Sequence, residues 1–181
     1  MQPFVSDVKK IRERARTAMD QGAVTPGYKA DRDQVIKVLN EVLATEIVCT
    51  LRYKRHYYTA DGLNSESVKA EFLEHAKEEE EHADWVAERI TQLNGEPDFN
   101  PAGLAERAHA DYAEGSDLTS MIEEDLVAER IAIQTYSEII QWLGDNDPTT
   151  RRLIERILEK EEEHAEDLVT LISRITSQSA H

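Results

Sequence analysis

Four stretches of this chain carry apolar residues at helical spacing, and every one of them turns polar halfway along. The first stripe reads Val35, Leu39, Val42, Glu46, Cys49, Tyr53. The second reads Val68, Phe72, His75, Glu79, His82, Val86, Leu93. The third reads Leu118, Ile122, Asp125, Glu129, Ala132, Tyr136, Leu143, and the fourth Ile154, Ile157, Glu161, His164, Leu168, Leu171. A carboxylate in the middle of an apolar face is expensive unless it meets a partner. Four such faces pack together only if their polar centres converge, so the pattern calls for a helical bundle with a polar middle.

Helix punctuation agrees. Gly and Pro number only seven and five in 181 residues, and they fall at borders. The first long helix is expected from Asp33 to Tyr58, stopped by "ADGLN". The second starts after Ser65, a good N-cap, and ends at Asn94, with Gly95 and Pro97 as stop signals. The third starts after Ser116 and ends before Gly144; the fourth opens at "DNDPTT", with Asp147 as N-cap and Pro148 in first position, and runs to about Thr176. The first–second and third–fourth connections are short, which makes those pairs antiparallel neighbours. The link between the second and third, "GEPDFNPAGLAERAHADYAEG", is long for a compact bundle. It has the length to carry the chain from one end of the bundle to the other. The expected fold is all-α: a four-helix bundle with a long crossover over 31–181, preceded by an N-terminal extension (1–30) that holds a short helix at 4–20.

The chain also repeats itself. Glu46 is followed after seven residues by Tyr53, and Glu129 by Tyr136; Glu79 and His82 recur as Glu161 and His164. The offsets are 83 and 82 residues, which implies two helix pairs related by a pseudo-two-fold axis. Within the acidic runs "EHAKEEEEHADWV" and "EKEEEHAEDLV", His75, Glu79, His82, Glu161 and His164 sit on the stripes with their apolar neighbours; Glu78, Glu80, Glu81, Glu162 and Glu163 fall off them and are expected on the solvated surface. Four inward glutamates without cations would repel one another and be forced to take up protons. Divalent metal removes that conflict, and carboxylate with imidazole suits iron, manganese or zinc. Six ligands, Glu46, Glu79, His82, Glu129, Glu161 and His164, are enough for two ions.

Glu-x-x-His alone is weak: with 24 Glu and six His, about one match arises by chance. Glu106 and His109 form such a decoy in the crossover. The strength lies in two pairs on apolar stripes, combined with two lone inward glutamates, each followed by a tyrosine.

At these residues the chain resembles a known family. "LNEVLATEIVCTLRY", "EEEEHAD", "EEDLVAERIAIQTY" and "LEKEEEHAEDL" are similar to the ferroxidase-site helices of bacterioferritins and related ferritin-like proteins, over about residues 33 to 176. The resemblance implies two irons per subunit, bridged by Glu79 and Glu161, with Glu46 and Glu129 terminal and one of His82 and His164 on each ion. It places Tyr53 and Asp125 beside the site. It implies oxidation of Fe(II) by O2 or H2O2 for storage or detoxification within a homo-oligomeric shell. The haem-ligating Met of bacterioferritins is replaced by Glu80, so no haem is expected. The chain ends soon after the fourth helix, without a short fifth one, which favours a Dps-like dodecamer over a 24-mer or a dimer.

The remaining residues bound the function. Net charge is −16, although residues 1–32 carry a local +3. The acidic balance argues against nucleic-acid binding; Lys9, Lys10, Arg12, Arg14 and Arg16 leave a basic arm open, but a solvated helix face is the favoured reading. One cysteine, Cys49, is expected in the core, and with no signal-peptide pattern and no membrane-length apolar run it fits a reducing cytoplasm. His75 is favoured as a core histidine over an alternative ligand. Trp85 and Trp142 are expected to pack or lie at an interface, and His56, His109 and His181 take no role. The rival reading is a dimetal redox enzyme of peroxidase or catalase type without storage.

Overall fold

The computed structural model describes residues 3–17, 19–62 and 65–179. Six α-helices follow in order: α1 (Val8–Arg14), α2 (Arg32–Thr59), α3 (Ser65–Gln92), α4 (Leu104–Arg107), α5 (Leu118–Leu143) and α6 (Pro148–Ser179), with a 3-10 turn at Met19–Gln21. The four long helices are those read from the stripes. Their 26 to 32 residues make rods of about 40–48 Å. Helices α2 and α3 pack as one pair, α5 and α6 as the other. Among the described residues there is no strand, and no helix is long and apolar enough to cross a membrane.

Helix ends follow local chemistry. Asp31 caps α2 by accepting from Gln34 N–H at 3.2 Å. Asp117, rather than Ser116, caps α5 in a capping box with Ser120. Asp147 accepts from Thr150 N–H at 2.9 Å at the start of α6, as expected. Ser65 is not an N-cap: it is already helical, and its hydroxyl donates to Gly62 O at 2.9 Å. The rest of the stop signal, Leu63 and Asn64, lies outside the described residues, as does His181. Helix α3 closes with Gly95 N–H on Ile90 O and Asn94 N–H on Thr91 O, a Schellman pattern. The left-handed residue is Asn94 (φ 60°). Gly95 serves a different need, since a Cβ there would meet Ile36 at 2.9 Å.

The crossover is bound to α2 along its length. Asn40 Oδ1 accepts from Asp98 N–H at 2.7 Å, and Thr45 Oγ1 from His109 N–H at 2.9 Å. Arg52 donates to Asp111 O at 3.2 Å and Arg55 to Glu114 O at 2.9 Å. From residue 40 to 55 these anchors climb about 22 Å, which takes the chain to the other end of the bundle.

The short helix of the extension covers 8–14, not 4–20. Asp7 starts it by accepting from Lys10 N–H, Thr17 Oγ1 ties off Arg14 O at 2.7 Å, and none of its residues is buried. Further on, Val24 enters the core. Tyr28 donates to Asp147 at 2.8 Å, so the extension is fastened to the start of α6.

Two apolar clusters hold the bundle. One gathers Leu39, Leu43, Val86, Ile90, Leu143 and Ile154. The other gathers Val68, Phe72, Ile122, Leu168 and Leu171. The polar centre of every stripe lies between them.

Candidate metal centre

Glu46, Glu79, His82, Glu129, Glu161 and His164 are each 1% exposed. They converge in two overlapping groups: Glu46, Glu79, Glu161 with His82, and Glu79, Glu129, Glu161 with His164. Within each group the ligand-type atoms lie within 4.8 Å of one another. His82 Nδ1 is 3.2 Å from Glu46 Oε2, 3.1 Å from Glu161 Oε1 and 3.7 Å from Glu79 Oε2. His164 Nδ1 is 3.4 Å from Glu79 Oε1, 3.5 Å from Glu161 Oε2 and 4.0 Å from Glu129 Oε2. Glu79 and Glu161 thus each turn one oxygen to one imidazole and the other oxygen to the second. Glu46 and Glu129 belong to one group apiece. This is the two-fold arrangement that the repeat implies.

The tyrosines complete the symmetry across the bundle. Tyr53 on α2 donates to Glu129 on α5, and Tyr136 on α5 donates to Glu46 on α2. Each lone glutamate is therefore held by the opposite helix. Cys49 is buried beside this region, 3.6 Å from an Arg52 donor.

The electrostatics express an excess of negative charge. Burial, followed by the Glu161 and Glu79 carboxylates, raises Glu46 well above the usual carboxylate range. Burial, then Glu79 and Glu161, does the same to Glu129. Burial would also raise Glu79, but the His164 and His82 imidazoles close beside it outweigh burial and hold Glu79 low. Burial alone would lower His164, yet Glu161 and Glu79 push it up to about 12; His82 is raised for the same reason. Protons on the imidazoles take the place of cations. The donor set fits metal on a second count. Buried Glu79 Oε1, Glu129 Oε2, Glu161 Oε1 and His164 Nδ1 have no hydrogen-bond partner, which is unusual for buried polar atoms. All four belong to the groups just described.

Some neighbours of the centre were not legible in the sequence. Glu78, expected on the surface, is half-buried and bonds His164 Nε2 at 2.7 Å. It fixes that ring, and nothing in the spacing of α3 singles it out, because its partner lies on α6. Asp125 lies within a buried network: its Oδ1 accepts from Arg52 Nε at 2.7 Å, and its Oδ2 is 2.8 Å from His56 Nδ1. His56 is three residues after Tyr53, on a continuation of the α2 stripe, and that signal would have found it. The decoy Glu106 and His109 sits away from the centre, with His109 Nε2 3.8 Å from Glu41.

Comparison with known proteins identifies the family of this fold. The Ferritin-like domain family matches residues 36–177. The chain belongs to the ferritin-like family. A bacterioferritin of Desulfovibrio desulfuricans is 31% identical over 140 residues, covering 76% of this chain and 74% of that protein. A solved structure of the bacterioferritin of that species, concerned with its diiron site in different catalytic states, matches with a TM-score of 0.71 at 28% identity, over 81% of this chain and 82% of that one. The nutrient stress-induced DNA-binding protein of a Synechococcus strain is 31% identical over 137 residues, 73% of this chain and 77% of that protein. The bacterioferritin-related dodecameric thioferritin of Bacteroides fragilis superposes with a TM-score of 0.80 at 32% identity, over 84% of this chain and 92% of that one. The family match over 36–177 includes all six ligand-type residues.

Proposed function

We propose that this chain is a ferroxidase of the iron-storage type, oxidising Fe(II) at an intra-subunit dinuclear site. The observation that carries the reading is the pair of two-fold-related groups, each with its own glutamate and histidine and both sharing Glu79 and Glu161. In this reading Glu79 and Glu161, which belong to both groups, would be shared by the two iron ions. Glu46 with His82 serves one ion, and Glu129 with His164 the other. Four carboxylates balance the four positive charges of two Fe(II) and favour the higher-valent product. Tyr53 and Tyr136 hold the terminal glutamates, and Glu78 orients His164. Each turnover takes two electrons from two Fe(II). With two protons they convert O2 to H2O2, or H2O2 to two waters. Bacterioferritin and Dps relatives support a role in iron storage and protection, and the dodecameric relative supports a closed shell of twelve copies. A reducing cytoplasm suits the single buried thiol, Cys49.

The test is iron per chain after Fe(II) is added aerobically to metal-free protein and free iron is removed by gel filtration. Uptake far beyond about two per chain, the capacity of a six-ligand site, supports storage. A plateau at about two moves the assignment to a dimetal redox enzyme. Uptake unchanged by Glu79→Ala with Glu161→Ala sinks the site itself.

A further inference from the structure

Among the described residues, one group of metal-ligand type lies outside the six. Glu71 and His75 on α3 and Asp167 on α6 bring ligand atoms within 4.8 Å of one another. His75 is 2% exposed, while the Glu71 and Asp167 side chains are 32% and 46% exposed. The group therefore has a buried imidazole at its base and opens to solvent through its carboxylates. His75 Nε2 lies 3.9 Å from Glu71 Oε1 and 3.8 Å from Asp167 Oδ2. Those gaps exceed hydrogen-bond length, and the ring's hydrogen bond among the described residues is made through Nδ1. They fall below the roughly 4.4 Å limit for two atoms that share one ion with bonds of about 2.0–2.2 Å.

The other ring nitrogen explains why Nε2 is available. His75 Nδ1 is 3.3 Å from Tyr53 Oη, and the Tyr53 proton is given to Glu129. Nδ1–H must then donate to the tyrosine oxygen, which leaves the Nε2 lone pair facing two carboxylates. A lone pair opposed to anionic oxygens is unfavourable until a cation stands between them. The carboxylates have the same need: burial, with the neighbouring Asp167 and Glu74 charges, raises Glu71.

We propose that Glu71, His75 and Asp167 bind one divalent transition-metal ion, separate from the dinuclear centre and adjacent to its His164 side. Imidazole with two carboxylates suits Fe(II), Mn(II) or Zn(II). The His75 ring stacks on His164 with centroids 4.0 Å apart, so an ion held here waits one residue layer from the centre. Binding rests on these three residues alone. Only the role as a staging point for incoming Fe(II) rests on the ferroxidase reading.

The test is equilibrium dialysis of the full chain against Zn(II), which has no redox chemistry, with Zn(II)-soaked crystals examined by anomalous scattering. Wild type is expected to hold about three Zn(II) per chain, one for each ligand group. Asp167→Asn and His75→Phe each reduce this by about one. The anomalous map places a peak within about 2.2 Å of His75 Nε2. Asp167 is half-exposed, so its substitution leaves the core intact and decides the matter if the His75 variant fails to fold. A wild-type stoichiometry unchanged by Asp167→Asn, with no peak at His75, overturns the site. Glu79→Ala with Glu161→Ala separates the two readings. If that variant still binds the Asp167-dependent ion, the new site stands whatever becomes of the dinuclear one.

Discussion

Five of the buried ligand-type residues shape the protein's response to pH. Glu46, Glu129, His82 and His164 are all raised in the folded state. Each holds a proton that the unfolded chain releases at lower pH, so stability falls as pH climbs above the unfolded values near 4.5 for Glu and 6.5 for His. Glu79 is lowered, and its stabilisation is lost only as pH falls below about 4.5. Metal-free protein should therefore melt about 5 °C or more lower at pH 8 than at pH 6. Zinc-loaded protein should show the reverse, because protons compete with the metal. Calorimetry across that range, with and without Zn(II), checks both signs; a flat profile for the metal-free form contradicts the charge assignment. The tyrosines give a second prediction. Tyr53→Phe frees Glu129 and Tyr136→Phe frees Glu46, and each should weaken Zn(II) binding by about tenfold in isothermal titration. Equal losses would reflect the two-fold symmetry, whereas unaltered affinity would remove the tyrosines from the site.

At the scale of elements, one carboxylate joins three segments. Asp147 caps α6 through Thr150 N–H, pairs with Arg89 of α3 at 3.0 Å and accepts from Tyr28 of the extension at 2.8 Å. Burial works against its charge, but hydrogen bonds from Thr150 and Tyr28, together with Arg89, keep it below the ordinary range. Asp147→Ala removes the cap and strands a mostly buried guanidinium, so it should cost about 2–4 kcal/mol. The cost, read from denaturant unfolding at pH 7, should shrink as pH falls below about 4, where the unfolded chain's Asp147 takes up a proton, and vanish at the lower pH where the folded one does too. The cap itself was legible in "DNDPTT", since Asp before Pro at a helix start is a local signal. So were the four helices and the six convergent residues, because period and repeat are properties of one chain segment at a time. Tyr28 and Arg89 were not legible as its partners, for they reach Asp147 across 119 and 58 residues. Glu78 escaped for the same reason. It is off the stripe of its own helix and acquires a role only when α6 lies beside it. The limits of the N-terminal helix were equally hidden, because α1 buries nothing and its ends rest on single side chains, Asp7 and Thr17.

At the scale of the whole molecule, charge separates this chain's expected behaviour from that of its DNA-binding relative. Net charge is −16, with +3 confined to residues 1–32 and about −19 on the rest. Affinity for DNA at physiological salt comes from lysines and arginines that displace counterions from phosphates. Here the exposed basic residues of α1 are few and are interrupted by Glu13, and Lys10 is drawn to Asp7 at 3.6 Å. If the chains form the proposed shell, each copy adds another −16, so long-range repulsion should dominate the approach to a polyanion. The intact assembly should leave duplex DNA unretarded in a gel-shift experiment at about 150 mM salt. Light scattering on the same sample should report twelve chains, and deletion of residues 1–17 should change neither DNA mobility nor iron uptake. Retardation that disappears with that deletion would show that the basic arm outweighs the charge of the shell, and would move the protein from iron storage alone to storage coupled with DNA protection.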